Sequence, residues 1–470
     1  MKIAWYTPFS IHSAIGRFSQ LVVRALRERG AEVQIVRSEI RSSALRSVAP
    51  ICTQEPLAWA VDWEARLGDH GHNYDLMVYN LGDHYENHAY AFQHQSAVPG
   101  LSIVHDYSLH HALLHHCRAN PAQHGDYLDH LHAENGGEAL DVHEHCLKDH
   151  QPHRWWDQEI ARFPVYRWAL RNTLGVVAHS HFYRSILAER TGASTAVIPL
   201  AYDSAWEPAG VLPRPAAGMV PHRKLVLLTV GSVNPNKRHQ AVIQCLAHSR
   251  FLRERLQYRI VGHIEPAQRQ AIEHQIESFA HRPEVVITGP VSKEQLSKEL
   301  SQADVLTCLR YPALEGASAS VIEGLLTGKP VVVTNTGCYE EIPDDLVYKV
   351  DPQHERSELT HQLERILRHY DEAIKRGADA RAWARQRHSP EQYAARFLEF
   401  ARQVLYDRPV MAIADRIAEQ LRGWNVPPHP QLLRRVDIAL RGLFAEPLNQ
   451  QRAGQAPTGQ QAPGDQRRAA

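Results

Sequence analysis

The chain lacks any uninterrupted apolar stretch approaching the ~20 residues of a membrane-spanning helix, so membrane contact is expected to be peripheral at most. It lacks an excess of either charge. The 52 Lys and Arg equal the 52 Asp and Glu, which argues against a nucleic-acid partner recruited by a basic field and against an acidic solvating region. Its six cysteines, Cys52, Cys117, Cys146, Cys245, Cys308 and Cys338, include no C-x-x-C pair and mostly sit among apolar residues. They read as reduced thiols that behave as small hydrophobes. The opening MKIAWYTPFS runs into a strand pattern without the charged segment and apolar core of an export leader. A cytoplasmic location is expected, with the inner face of a membrane as its possible boundary. No internal repeat is present.

What is there fits two α/β domains, as 470 residues suggest. Short β-branched runs, KIAWYT, AEVQIVR, YDLMVYN, LSIVHD, LGVVAHS and TAVIPLA, alternate with helical patterns over residues 1–205. They predict a doubly wound, Rossmann-like domain with a His- and Trp-rich insertion at about 107–171. A Pro- and Gly-rich segment at 206–223 reads as the linker. The alternation restarts over 224–390 with KLVLLTVG, YRIVG, EVVITG, ADVLTC, KPVVVTN and LVYKV. Helical sequence follows over 391–448. The Gln-, Ala-, Gly- and Pro-rich tail at 449–470 has no apolar periodicity and is expected to be disordered. Ligands of open parallel sheets bind beyond the carboxyl ends of the strands, so the cleft between the two sheets is the expected site.

Within LEGASASVIEGLLTGKPVVVT, Glu315 and Glu323 are separated by seven small or apolar residues. A glycosidase pair needs its carboxyls within about 5–10 Å, whereas eight helical positions span about 12 Å. The segment reads better as a loop, EGASAS, followed by a helix, SVIEGLLTG, that Gly328 ends. Small residues let backbone approach a ligand, and amides at a helix start can meet hydroxyls or phosphate. Glu315 and Glu323 could then grip the two ends of a nucleotide sugar.

With IVHDY, AHSHFYRSIL, VIPLAYD, VGSVNPNKR, IVGHIE, these two glutamates, GKPVV and NTGCYEEIP, in this order, the chain to about residue 405 resembles the family 4 retaining glycosyltransferases of the GT-B fold. The resemblance implies a UDP- or GDP-linked sugar as co-substrate, no separate cofactor, and a glycan or lipid-linked acceptor. It implies roles for Lys237 on the donor diphosphate, with Arg238 beside it. Glu315 and His105 fall near the reacting sugar, the Gly316, Ala317 and Ser318 backbone on its hydroxyls, and Glu323 on the ribose. Gly16 falls in the loop after the first strand. Asp106, Trp155 and Trp156 are taken as acceptor-side candidates.

Three departures qualify the resemblance: Ser232 stands where the family often has arginine, Ile15 replaces the first glycine of the N-terminal pair, and Ala317-Ser318 replaces the usual Phe-Gly. No D-x-D triplet, the motif that holds a cation on donor phosphates, occurs, and metal-independent transfer is expected. His111 and His115 have an i, i+4 spacing that can hold zinc, yet no nearby ligand completes a set. The stretch RWWDQEIARFPVYRWALR fits either a buried helical core or an interfacial or acceptor-binding ledge. A nucleotide-sugar epimerase of the same fold and a non-catalytic glycan- or partner-binding protein are the alternative functions.

Overall fold

The structure is a computed structural model that describes residues 1–41, 49–52, 54–203, 223–427, 429–436 and 438–440. All of the expected linker except Arg223, and the whole 449–470 tail, lie outside the described residues.

The β-branched runs form two parallel sheets. The first contains β1 (Lys2–Thr7), β2 (Glu32–Arg37), β3 (Leu57–Trp59), β4 (Leu76–Leu81), β5 (Gly100–Val104), β6 (Thr173–Ala178) and β7 (Thr195–Val197), hydrogen-bonded in the order β3-β2-β1-β4-β5-β6-β7. The second contains β8 (Leu225–Val230), β9 (Leu256–Val261), β10 (Val285–Gly289), β11 (Val305–Cys308), β12 (Val331–Thr334) and β13 (Tyr348–Val350), in the order β10-β9-β8-β11-β12-β13. Strands covered on both faces should be continuous apolar runs, and every residue of β4 and of β12 is buried. Strand order reverses between β1 and β4 and between β8 and β11. Each sheet therefore opens a crevice beyond the carboxyl ends of those strands.

Local signals fix the helices that flank these crevices. Ser13 caps the helix Ala14–Glu28 by accepting from the Gly16 amide at 2.9 Å, and the Phe18, Val22, Val23 and Leu26 stripe faces inward. Ser292 caps Lys293–Gln302 in the same way. The helix Ala319–Leu326 ends just before Gly328, whose φ of 72° suits a residue without a Cβ.

The insertion folds into the helices His110–Ala119, Pro121–His124, Tyr127–Asn135, Gly137–Lys148 and Pro152–Asp157. Its aromatic side chains resolve the ambiguity of the sequence in favour of a core. Trp155 is 1 % exposed and donates to the Tyr127 hydroxyl at 3.0 Å, and Phe163, Tyr166 and Trp168 are buried in one cluster with Tyr79 and Leu81 of β4. Two of the interleaved arginines turn to carboxylates instead: Arg154 to Glu159, and Arg162 to Glu159 and Glu138.

Both sheets belong to one compact unit, residues 1–401. The chain crosses between them twice. At the crossings the Tyr202 amide donates to the His388 carbonyl at 2.9 Å, and the His388 ring bonds the Leu200 carbonyl at 2.8 Å. The helix Pro390–Gly423 then begins against the first sheet, with Tyr393 edge-on to Phe18 and Phe397 edge-on to Trp5. Residues from Arg402 onward form a second unit, where Trp424, Leu433 and Ile438 are exposed. No described helix is long and apolar enough to cross a membrane.

Candidate active site

The carboxyl ends of β8 and β11 gather the charged groups. After β8 the chain turns through Gly231, at φ 103°, where any Cβ would run into the Lys237 amine. Lys237 closes the short turn Pro235–Lys237, is 7 % exposed, and donates to the Val230 carbonyl at 3.2 Å. Burial, and next the positive charge of Arg310, bring its pKa down to about 7. Ser232 is exposed on the same loop. Arg238, beside Lys237, is paired with a carboxylate. Its guanidinium is gripped by Glu355, with contacts of 2.9 and 2.7 Å, at the start of the helix Glu355–Arg368.

The second buried cation comes from β11. Arg310 is 5 % exposed, and each nitrogen of its guanidinium has a partner: Nε donates to Glu315 Oε1 at 3.0 Å, Nη2 to Ser320 at 3.2 Å and Nη1 to the Leu309 carbonyl at 2.8 Å. Tyr339 also donates to Glu315 Oε1. Among the described residues, Glu315 Oε2 accepts nothing, and the side chain keeps about a fifth of its surface exposed. The carboxylate is therefore anchored through one oxygen and open through the other.

Eight residues on, Glu323 is mostly buried on the helix Ala319–Leu326, and burial raises its pKa. The neighbouring Tyr202 phenol and the charges of Arg17 and Lys293 favour its ionised form.

The first sheet meets this loop directly. Asp106 and Glu315 form an antiparallel bridge: the Tyr107 amide donates to the Leu314 carbonyl and the Gly316 amide to the His105 carbonyl, both at 2.9 Å. The Ser180 hydroxyl donates to the Gly316 carbonyl at 2.7 Å. Gly316 must be glycine, because a Cβ would collide with the Tyr183 phenol. Its amide and carbonyl are both engaged by the first half of the chain, and the Ser318 carbonyl accepts from the Ile322 amide, so of the expected Gly316–Ser318 backbone contacts those of Ala317 and the Ser318 amide stay available for a ligand.

His105 lies 8 % exposed at the end of β5, against the edge of Phe18. Its Nε2 is 3.0 Å from Asn80 Oδ1 and its Nδ1 is 3.2 Å from His179 Nε2. Burial, then the neighbouring His179, hold its pKa well below the usual range. The half-buried Asp106 carboxyl accepts from the Asp83 amide at 2.7 Å, while desolvation, Asp83 and Glu315 raise its pKa to about 7. Asp83 in turn holds the Ala112 amide at 2.8 Å and His111 at 2.7 Å. Gly16 is required at its position, since a Cβ would come within 2.5 Å of the Pro8 carbonyl. Ile15 packs where a Cβ on Gly82 would stand, beside Asp106.

Lys237, Glu315, Asp106 and His105 are thus brought together, with Glu323 at the far end of the same helical segment. Trp155 is not among them, being interior to the insertion. Trp156 is partly buried, its ring 5.1 Å from His111 on the side of Asp83. His110 bonds Tyr127 and the Phe163 carbonyl, and among the described residues no group of three or more His, Cys, Asp or Glu is arranged to hold a metal ion. Sequence reasoning missed Arg310, Tyr339 and Tyr202. For Arg310 a signal existed: a cation directly after the buried strand of ADVLTCLR, where nothing but a partner or ligand would stabilise it.

Residues 216–383 match the family model described as Glycosyl transferases group 1. No match was found among curated proteins. The chain is similar in structure to a sucrose-phosphate synthase from Thermosynechococcus elongatus, at 17% identity and TM-score 0.55, over 86% of this chain and 99% of that one. Anabaena Alr3699/HepE in complex with UDP is similar at 16% identity and TM-score 0.55, over 86% and 100%. WaaG, described as a glycosyltransferase of lipopolysaccharide biosynthesis, is similar at 15% identity and TM-score 0.52, over 83% and 98%. At these identities the likeness is one of fold: two doubly wound parallel sheets of the GT-B glycosyltransferase type.

Proposed function

We propose that the chain is a glycosyltransferase that moves one sugar from a UDP- or GDP-linked donor to a hydroxyl of a glycan or lipid-linked acceptor, retaining anomeric configuration and using no metal ion. The group 1 domain at residues 216–383 supports the reaction class. The observation that carries the reading is the buried, desolvated Lys237 beside a carboxylate that is anchored at Oε1 and open at Oε2.

Breaking the bond between the sugar's anomeric carbon and the diphosphate leaves negative charge on phosphate. A cation already stripped of water stabilises that charge without having to be reorganised. Lys237 supplies it, helped by the amides at the start of the helix Ala319–Leu326. The open oxygen of Glu315 accepts a sugar hydroxyl, and Glu323 accepts the ribose diol. The acceptor oxygen attacks the anomeric carbon on the face the diphosphate leaves, and its proton passes to the departing phosphate oxygen. Asp106 and Trp156 are assigned to the acceptor side.

The test is the melting temperature against UDP, GDP, ADP and their sugar conjugates, with and without EDTA. A ligand at a hundredfold excess over Kd stabilises by about 2.7 kcal/mol. A shift with one base, unchanged by EDTA and weakened in Glu323→Ala by about 10–100-fold in Kd, is expected. Absence of a shift with every nucleotide, together with no sugar transfer, would overturn the proposal.

A further inference from the structure

A diphosphate leaving group calls for positive charge, and on the loop after β8 only Lys237 offers it without a carboxylate partner. Ser232 offers none, and Arg238 is neutralised by Glu355. The other positive charge beside Lys237 is Arg310, two residues past β11, where the adjacent Tyr311 amide donates to the Asn236 carbonyl at 2.8 Å and so ties the two loops together. Its guanidinium is fixed by Glu315, Ser320 and the Leu309 carbonyl, while its backbone amide donates to Thr334 at the end of β12 at 3.0 Å.

We propose that Arg310 is a positioning residue of the transfer site: it turns Glu315 so that one carboxylate oxygen faces the sugar, and it offsets that carboxylate's charge so that the field around Lys237 stays positive. The inference rests on the glycosyltransferase reading. Two cations flank one carboxylate, leaving a net positive field where the diphosphate departs. The same arrangement makes the site sensitive to pH. The titratable and charged groups around the Lys237 amine are Arg310, Glu315, Cys308 and His239. Burial raises the Cys308 pKa to about 11 and lowers that of His239 to about 3. Both stay uncharged near neutrality, so Arg310 and Glu315 set the field on the amine.

A purely structural ion pair would hold Glu315 in place without influencing Lys237, and the two roles separate in a pH profile. The probe is whichever of UDP or GDP binds the wild-type chain, measured by calorimetry from pH 6 to 9, with kcat and KM for the matching sugar conjugate. Wild-type affinity should fall above about pH 7, as Lys237 loses its proton. In Arg310→Gln that decline should move to higher pH, because a repelling charge has gone, and kcat should drop at least tenfold. Arg310→Lys keeps the charge but cannot reach Glu315 and Ser320 together, so the decline should stay in place while kcat falls with KM little changed. Tyr339→Phe removes a bond to the same Glu315 oxygen without altering cationic charge, and should behave likewise.

A wild-type affinity that is flat from pH 6 to 9, or an Arg310→Gln protein with the wild-type decline and turnover, would overturn the proposal. Where Arg310→Gln does not fold, Arg310→Lys decides: reduced kcat with an unmoved decline supports it, and wild-type kcat overturns it. Failure of the wild-type chain to bind either diphosphate would instead overturn the underlying glycosyltransferase reading.

Discussion

Lys237 lies where water has been almost wholly removed, and among the described residues the one hydrogen-bond partner of its amine is a carbonyl. Such a group destabilises the fold in its charged form and becomes useful only when an anion arrives. Lys237→Ala should therefore lower turnover by about 10²–10³-fold while leaving the melting temperature unchanged or slightly raised. Wild-type transfer rates in this mutant would remove Lys237 from the site. His105 presents a different balance. Asn80 Nδ2 donates to the Tyr6 carbonyl at 2.8 Å, so Asn80 Oδ1 must accept from His105 Nε2. The Ile198 carbonyl likewise requires a proton on His179 Nδ1. Two neutral rings then face each other through bare nitrogens, and the 3.2 Å contact becomes a hydrogen bond only if one further proton enters. Burial, chiefly, lowers both pKa values, that of His179 to about 4. Neither ring should titrate between pH 5 and 8, which ¹⁵N chemical shifts of the two imidazoles would check.

At the scale of elements, strands were the most legible part of the sequence. Continuous Val, Ile and Leu runs such as KLVLLTVG and KPVVVTN have few alternatives to a buried parallel strand. The insertion was less legible, because aromatics interleaved with arginines describe a lipid-facing surface and a helical core equally well in composition. Only burial and ion pairing separate them, and both depend on partners far along the chain. Trp155→Ala should consequently destabilise by about 3–5 kcal/mol, since it empties a filled core and leaves the Tyr127 hydroxyl short of a donor. Trp156→Ala, at a partly buried ring, should cost much less. Denaturant unfolding of the two variants compares them directly, and equal losses would contradict the core assignment.

For the molecule as a whole, the two doubly wound halves and the loops that carry Lys237, Glu315 and His105 could be read locally, because each is written within about ten consecutive residues. The contacts that turn those loops into one site could not. Arg310 and Tyr202 acquire a role from residues on other strands and loops, and the bridge between Asp106 and Glu315 joins opposite halves of the chain. Gly316→Ala tests that bridge. Its methyl group would displace Tyr183, whose hydroxyl donates to the Val104 carbonyl at 2.6 Å and accepts from the His179 amide at 2.8 Å. A lower melting temperature and reduced transfer are expected, and a variant identical to wild type in both would show that the halves do not meet there. Two backbone bonds and the Ser180 hydroxyl, at about 1 kcal/mol each, hold the halves together at this point. Parting them costs these bonds and more, because the Phe182 amide also donates to Glu341 at 2.8 Å and Leu314 packs against the core of the first half, so the parted form is a small minority of molecules. A ligand that must enter between the halves would then associate well below its encounter rate, which makes this clasp a limit on how quickly the site can fill and empty.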